Sequence, residues 1–483
     1  MASALYKGGG MKPTSIKYGH TTLAATLSAA MLAGCVHTPN LDPKPLQELP
    51  ADFTSSNSGQ SAGDKWWLTF NDQELNQLVE QALAGNQQLL STWSRLNQAQ
   101  ALMSQANASW LPTLGASFSG GRSKQSAGFP ESNVVSGSLQ ASYEIDVWGK
   151  LNNQRQAAAM DLAATRDSLE ASAMTLAAQV TDTWFGWVAQ QSQLKLLKSQ
   201  LETNTTYLEL VEMRFSEGLA TALDIFNLRQ QVEQSRSQLE DAQRISRLLE
   251  NQLAVLLGKA PGEIQFRASA TLPDLPPLPP TGVPSELLKN RPDVRAAQRR
   301  VASADARIGI ALANRFPALK LTGSVGYSAT TFTGLFDELI FSVIGSVTQP
   351  LFMGGALAAQ QDQAEAALQE QLHSFTHSVL QAISEVENAL SNQAHEVKRL
   401  THLQQQRDHA ASALGEAKER YIEGLSEFLP VLTALGTLQR VEQSVVLSQK
   451  QVRSYRVQLC RALGGSWTQN LEQSSATESD NPS

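Results

Sequence analysis

Few side chains in this chain of 483 residues stand where they could do chemistry. His373 and His377 lie four apart in HSFTH, a spacing that could hold a metal from one helix face. The glutamate of an HExxH zinc site is missing, and seven histidines in a polar chain fall at such spacings by accident, so the pair reads as solvated. Gly149-Lys150 ends like a phosphate loop, but the upstream glycine would fall at Glu144. No nucleophile elbow is recognised. That leaves two carboxylates in YEIDVWGK, Glu144 and Asp146, as candidates for acid/base work. They alternate with Tyr143, Ile145 and Val147, so the segment reads as a strand with one acidic and one apolar face. No enzyme activity, cofactor or metal is expected from this set.

The elements that must carry these residues say more. Near 113 to 119, Leu114, Ala116 and Phe118 oppose Thr113, Ser117 and Ser119; near 138 to 147, Leu139 to Val147 oppose Gln140, Ser142, Glu144 and Asp146. Further on, Leu319, Leu321, Val325 and Tyr327 oppose Lys320, Thr322, Ser324 and Ser328, and Phe341, Val343 and Val347 oppose Ser342, Ser346 and Thr348. Four segments of this kind fit membrane strands with a wet interior, or a soluble sandwich with one solvated face. In a membrane the sheet must close, because unpaired edge groups cost several kcal/mol each, roughly, and four strands cannot close alone. Chains must then share one barrel.

Around the strands lie long helical patterns. Gln73 to Leu111 is periodic and stopped by Pro112; after Gly149 a pattern runs to Glu217, is punctuated by Gly218, and resumes over 219 to 257. The halves repeat. A shift of 205 lays Asn86 on Arg291, Leu89 on Val294, Pro112 on Pro317 and Gly149 on Gly354. A shift of 206 lays RFSEGLATAL (214 to 223) on RYIEGLSEFL (420 to 429) and Leu257-Gly258 on Leu463-Gly464. Such an ordered series points to duplication of a large unit.

Charged residues are only 17% of the chain and the net charge is −7, which argues against nucleic-acid binding. Residues 1 to 10 resemble a tag or an upstream start. Lys12 and Lys17, an apolar stretch from Thr21 to Leu32, and Leu32-Ala33-Gly34-Cys35 read as an export signal ending in a bacterial lipobox, with Cys35 the lipidated residue. Val36 rather than Asp follows, which by analogy with bacterial lipoproteins favours sorting to the outer membrane. Cys460 would be an unpaired core thiol.

The motifs WWLTFNDQELNQLVEQALAGN (66 to 86), YEIDVWGK, NRPDVRAAQ (290 to 298), FPALKLTGSVGY (316 to 327), QPLFMGG (349 to 355), RYIEGL (420 to 425) and RALGGSW (461 to 467) cover nearly the whole mature chain in order. Together they resemble the TolC-like outer membrane factors, in the NodT-type lipoprotein branch that serves RND tripartite efflux systems. The resemblance implies a mixed fold, all-α plus transmembrane β. It would be a homotrimer with a twelve-stranded β-barrel, four strands per chain, continuous with a long periplasmic α-helical barrel and a small equatorial region. The expected layout is a signal peptide over 1–34, a lipid-anchored extended tether over 35–64, and a first repeat over 65–258 with a β-hairpin at 113–147. A Pro-rich linker over 259–284, a second repeat over 285–464 with a β-hairpin at 318–351, and a polar tail over 465–483 follow.

It also implies roles. Arg214, Gly218, Arg420 and Gly424 match the periplasmic hairpin tips where the family meets its adaptor protein. The leucine-aspartate pair common past the second tip is absent: Thr433 stands where the acid is expected, leaving Asp224 and Glu427 as acidic gate candidates. Glu144 and Asp146 would line the lumen, where a Ser/Gln surface with a few acids suits cationic or amphipathic solutes. The implied function is a passive outer membrane exit duct for drugs or other small toxic solutes, working with a periplasmic membrane fusion (adaptor) protein and an inner membrane RND transporter. Two rivals are an exit duct for type I protein secretion and a non-conducting coiled-coil lipoprotein spanning the periplasm.

Overall fold

The computed structural model describes residues 36–54, 65–123, 132–264, 266 and 272–471. They fall into two compact units, one from residues 36–42, 102–159 and 302–369, the other from 43–101, 160–301 and 370–471. In chain order the main elements are α1 (Gln73–Gly85), α2 (Gln87–Ala108), β1 (Thr113–Ser123), β2 (Ser132–Ile145), α3 (Lys150–Ser216), α4 (Ala222–Leu256), α5 (Pro292–Ala313), β3 (Ala318–Ala329), β4 (Leu339–Thr348), α6 (Ala356–Ile422) and α7 (Leu429–Leu463). The two halves match in detail. Helices α3 and α6 have 67 residues each, about 100 Å of helix, and α4 and α7 have 35 each.

The first unit is organised by one antiparallel sheet in the order β1-β2-β3-β4. The first hairpin reaches further into its turn than the alternation near 113 to 119 and 138 to 147 suggests, and β2 ends at Ile145, so Asp146 lies beyond the strand. The second unit is helical. Its core is aromatic: Trp66, Trp67, Phe70, Trp184, Phe185, Trp187 and Trp467 pack together, with Trp67 edge-on to Trp467 at 4.8 Å between ring centres. Asp72 explains part of the WWLTFND motif, because its carboxylate accepts from Leu75 N (3.0 Å) at the start of α1 and from Trp184 Nε1 (2.8 Å).

One sequence expectation needs correction here. The periodic stretch from Gln73 to Leu111 is two helices, because Asn86 takes an extended conformation (φ −66°, ψ 119°) between α1 and α2. Its amide both accepts from Leu89 N at 2.9 Å and donates to Leu256 O at 2.9 Å, so one side chain caps α2 and ties it to the end of α4. Apolar periodicity continues through such a break, and the Gly85-Asn86 pair is the local sign of it.

The repeated Leu-Gly pairs have a shared cause. Gly258 (φ +74°) and Gly464 (φ +81°) end the second helix of each hairpin, and a Cβ there would lie 2.0 Å from Gly85 O and 2.3 Å from Asn290 O, respectively. Only glycine allows both the left-handed turn and the close approach.

Charge and proline do the remaining stitching. Buried Arg291 donates to Asp293 (2.6 Å), Glu385 (2.8 Å) and the Ala462 carbonyl (3.2 Å). Arg295 bonds Asp167 at 2.9 Å and also Glu170, while burial raises the Glu170 carboxyl above its ordinary value against the pull of Arg295. The Pro-rich linker has carbonyls with few internal donors, and α7 satisfies them: Arg456 donates to Pro277 O (2.7 Å) and Pro276 O, and Arg453 to Pro273 O (2.8 Å). The segment expected to be an extended tether is also held. His37 and Asn40 N bond Asp305 in the first unit; in the second, Pro43 O accepts from Gln298, and Leu46 N and Thr54 N donate to Thr376 and Glu387. Cys35, residues 55–64 and the chain beyond 471 lie outside the described residues.

Candidate functional site

The strand register sorts the sheet into two faces. Residues directly opposite one another share a face, so Leu114, Ala141, Gly323 and Val343 form one row and Ala116, Leu139, Val325 and Phe341 another. This face is apolar except for Arg122 and Asn133, opposite each other near one end, and it is open: Leu114, Phe118, Phe341, Val343 and Val347 are each at least 66% exposed. An apolar surface of this extent on a folded chain calls for lipid or protein against it. The opposite face is Ser, Thr, Gly and Gln, with Val134, Ala318, Ile340 and Ile344 as apolar exceptions and Glu144 and Lys320 as charged ones. Its serines pair across strands, Ser117 with Ser138 (2.9 Å), Ser119 with Ser136 (2.8 Å) and Ser324 with Ser342 (2.8 Å). Among the described residues, strands β1 and β4 each pair on one side only, so the sheet has two open edges.

At one end of the polar face sit the residues of YEIDVWGK. Glu144 is on β2, opposite Lys320 of β3, and accepts from Lys150 Nζ at 3.0 Å. Asp146 does not share the strand pattern. Its carboxylate accepts from Leu151 N (3.0 Å) and Asn152 N (2.9 Å) at the start of α3, where the free helix amides and the dipole favour an anion. Trp148 donates from Nε1 to Pro317 O at 2.7 Å and stacks on Phe316 at 4.8 Å, which fastens the end of the first hairpin to the start of the second. Gly149 (φ +74°) turns the chain into α3, with Val36 packed against it.

The second group of expected site residues lies at the two helix turns of the other unit. Gly218 (φ +77°) and Gly424 (φ +73°) each take the left-handed conformation, and the hydrogen bonds match: Leu219 N to Arg214 O and Leu425 N to Arg420 O at 2.8 Å, Gly218 N to Phe215 O (3.0 Å) and Gly424 N to Tyr421 O (3.1 Å). Both turns are Schellman motifs. The two arginines differ. Arg214 lies over the Tyr421 ring at 4.5 Å, whereas Arg420 is exposed. Burial raises the Tyr421 hydroxyl above its ordinary value, with the Arg214 charge opposing. Val211, Leu228, Tyr421, Phe428 and Val431 form a small core that joins the turns. Outside it Phe215, Leu219, Phe226, Ile422 and Leu425 remain exposed.

Of the three gate candidates, Asp224 has a structural use: it forms a capping box with Thr221, accepting from Thr221 N at 3.0 Å while Thr221 Oγ1 accepts from Asp224 N at 3.2 Å. The signal for it, Thr221-x-x-Asp224, was legible in the sequence. Thr433 is exposed and donates back to Leu429 O at 2.9 Å within α7, and Glu427 is exposed. The Arg214–Tyr421 contact carries no sequence signal of its own because it depends on how separated segments pack, and the Glu144–Lys150 pair depends on the turn at Gly149 that brings α3 back beside β2.

Among the described residues, no cluster of three His, Cys, Asp or Glu could hold a metal, and His373 and His377 are exposed. Gly59-Gln60-Ser61-Ala62-Gly63 does have the spacing of a nucleophile elbow, which corrects the sequence reading above; it lies outside the described residues, in a Ser/Gly-rich stretch with no strand pattern before it. No helix of the described residues is long and apolar enough to cross a membrane, which says nothing about a β-barrel.

Comparison with known proteins adds the following. The family described as outer membrane efflux protein matches residues 78–259 and 283–465, one stretch in each half. The pyoverdine export outer membrane protein OpmQ of Pseudomonas putida KT2440 is 33% identical over 434 residues, covering 86% of this chain and 90% of its own. The outer membrane protein OprJ of Pseudomonas aeruginosa is 29% identical, with 92% and 96% covered. Among solved structures, the outer-membrane channel OprN superposes with a TM-score of 0.83 at 28% identity, over 88% of this chain and 99% of its own. CusC gives a TM-score of 0.80 at 25% identity, over 88% and 100%.

Proposed function

The chain belongs to the outer membrane efflux protein family, and on that premise we propose that it is the outer membrane exit duct of a tripartite efflux pump, passing drugs or other small toxic solutes to the exterior. The observation that carries this reading is the sheet: one wide apolar face open to its surroundings, one face of paired serines, and two unpaired edges. In lipid such edges must be closed. β1 of one copy pairing with β4 of the next closes them, and three copies give the twelve-stranded barrel that the resemblance implies. The duct supplies a route; the energy comes from an inner membrane RND transporter through a periplasmic adaptor protein.

Three further assignments belong to this proposal. The turns at Gly218 and Gly424, with Arg214 and Arg420 and their exposed apolar neighbours, are the adaptor-contact tips; their matched geometry supports that role. Asp224, Glu427 and Thr433 lie next to those turns and would border the gate. Cys35 is the lipid attachment point, supported by the way Val36, His37 and Asn40 are fastened beside Gly149 and Asp305, at the foot of the sheet. A lipid there would sit beside the apolar face.

The test combines two measurements. The purified protein is expected to run as a heat-modifiable trimer and to give discrete single-channel currents in planar bilayers. Deleting the gene should raise susceptibility across a panel of antibiotics, dyes and metal ions. A monomer that conducts nothing, together with an unchanged panel, would sink the proposal.

A further inference from the structure

Glu144 and Asp146 look in the sequence like an acidic patch on the polar side of the sheet. The structure engages both. The Asp146 carboxylate is held by the amides of Leu151 and Asn152, against the positive end of α3. Glu144 is paired with Lys150 at 3.0 Å. Lys320, directly opposite Glu144 in the register, is exposed, and among the described residues no carboxylate lies within ion-pair distance of it. By formal charge Glu144 and Asp146 balance Lys150 and Lys320, but with Glu144 paired to Lys150 and Asp146 engaged by the amides at the start of α3, Lys320 is the charge on this face left without a partner. The nearest acids at the other end of β3, Asp337 and Glu338, lie in the connection to β4. From Lys320 to the end of β3 at Ala329 is about 30 Å at ~3.3 Å per residue, well beyond a screening length of about 8 Å.

We infer that Lys320, with Glu144 already taken by Lys150, forms a basic collar on the water-facing side of the sheet that favours anionic solutes, such as those carrying carboxylate or phosphate groups, on their way out. The inference rests on reading the sheet as one part of a closed, water-filled barrel. Symmetry then places three such ammoniums around one level of the lumen, the arrangement by which pores attract anions. It reverses the preference for cationic solutes that the two carboxylates suggest on their own.

The test reads local potential directly, and so is independent of any gate elsewhere in the channel. Ser346 faces Lys320 across β3–β4, with its hydroxyl 3.5 Å from the Lys320 carbonyl, and Ser328 lies on the same face near the far end of β3. Ser346→Cys and Ser328→Cys are made in a full-length Cys460→Ser chain. Each is labelled in intact cells with an anionic (sulfonate) and a cationic (quaternary ammonium) methanethiosulfonate, and the signal of the parent without an added cysteine is subtracted. Any effect of Lys320 on the thiol itself cancels in the anion-to-cation rate ratio.

Relative to position 328, the ratio at 346 should be high. Lys320→Gln should lower it about two- to threefold, the effect of one ammonium roughly 7 Å away in water, screened over about 8 Å, on two opposite unit charges; Lys320→Glu should lower it further and Lys320→Arg preserve it. If Ser346→Cys fails to assemble, Ser342→Cys serves as the second site. A ratio unmoved by Lys320→Gln and Lys320→Glu overturns the collar. A cysteine at 346 that never reacts, while Val347→Cys does, overturns the channel reading beneath it, so the two failures are distinguishable.

Discussion

Single residues in this chain often have a structural use at the positions where sequence suggests a functional one. Asp146 is the clearest case: replacing it with Ala removes two charge-assisted hydrogen bonds from the first turn of α3 and should cost about 1–2 kcal/mol. Asp146→Asn should cost less, and the temperature at which the oligomer dissociates on gels would rank them. Asp224 combines both readings, since it caps α4 and is a gate candidate. Ala would remove cap and charge together, whereas Asp224→Asn keeps an acceptor for Thr221 N. If Asp224 borders the gate, the Asn variant should lose cation sensitivity of conductance while its tip stays intact to protease; unchanged sensitivity would leave it a cap alone. Asp293 is exposed at its surface, and although the protein packed around it partly desolvates the carboxyl, the hydrogen bonds and charge of Arg291 outweigh that and hold it below its ordinary value. A depressed folded value means stability that is present above the unfolded value and lost as pH falls through the folded one. Asp293→Asn should therefore flatten the acid end of the stability profile below about pH 3.8 and nowhere else, measured by helix melting against pH.

At the scale of elements, four glycines in left-handed turns separate two kinds of constraint. At Gly218 and Gly424 nothing lies within 4 Å of an added Cβ, so alanine meets only the backbone penalty of about 1 kcal/mol. At Gly258 and Gly464 the same Cβ would strike a carbonyl oxygen at 2.0 and 2.3 Å, so the two helices must also move apart. The tip alanines should therefore assemble and show faster tryptic cleavage near Arg214 and Arg420, while Gly258→Ala and Gly464→Ala should fall in outer membrane abundance. Equal behaviour of the four would refute the distinction. Most helix positions were legible in the sequence because apolar periodicity, Pro112, Pro317 and the repeated glycines mark them. Asn86 was missed because a side chain that caps one helix and reaches another has no periodic signature.

For the whole molecule, attachment and closure are the open quantities. Cys35→Ser should abolish the lipid on the mature N-terminus, read by mass spectrometry of the N-terminal peptide, and leave single-channel conductance unchanged, because in the proposed duct the sheet and not the anchor forms the barrel. A free, unlipidated Cys35 in the mature protein would remove the anchor from the proposal. The Pro-rich linker is a further whole-chain device: Arg456 is 2% exposed and holds the carbonyls of Pro276 and Pro277. Arg456→Met would leave those carbonyls without their donor and should cost roughly 1–3 kcal/mol, seen as a lower dissociation temperature.

The sequence by itself determined the class of this protein. Period-two and helical patterning, the internal repeat and the family motifs are written along the chain, and each depends on neighbours a few residues apart or on order alone. The strand faces were legible for the same reason, since a pleated strand must alternate. Tertiary structure decided which charges remain free. Whether Glu144 faces Lys150 or Lys320 and whether Asp146 lines a surface or caps a helix depend on how the chain turns from β2 into α3, and whether Arg214 meets solvent or the Tyr421 ring depends on a segment far away in sequence. An ion pair is fixed by a few ångströms of packing, and no spacing rule along the chain encodes that distance.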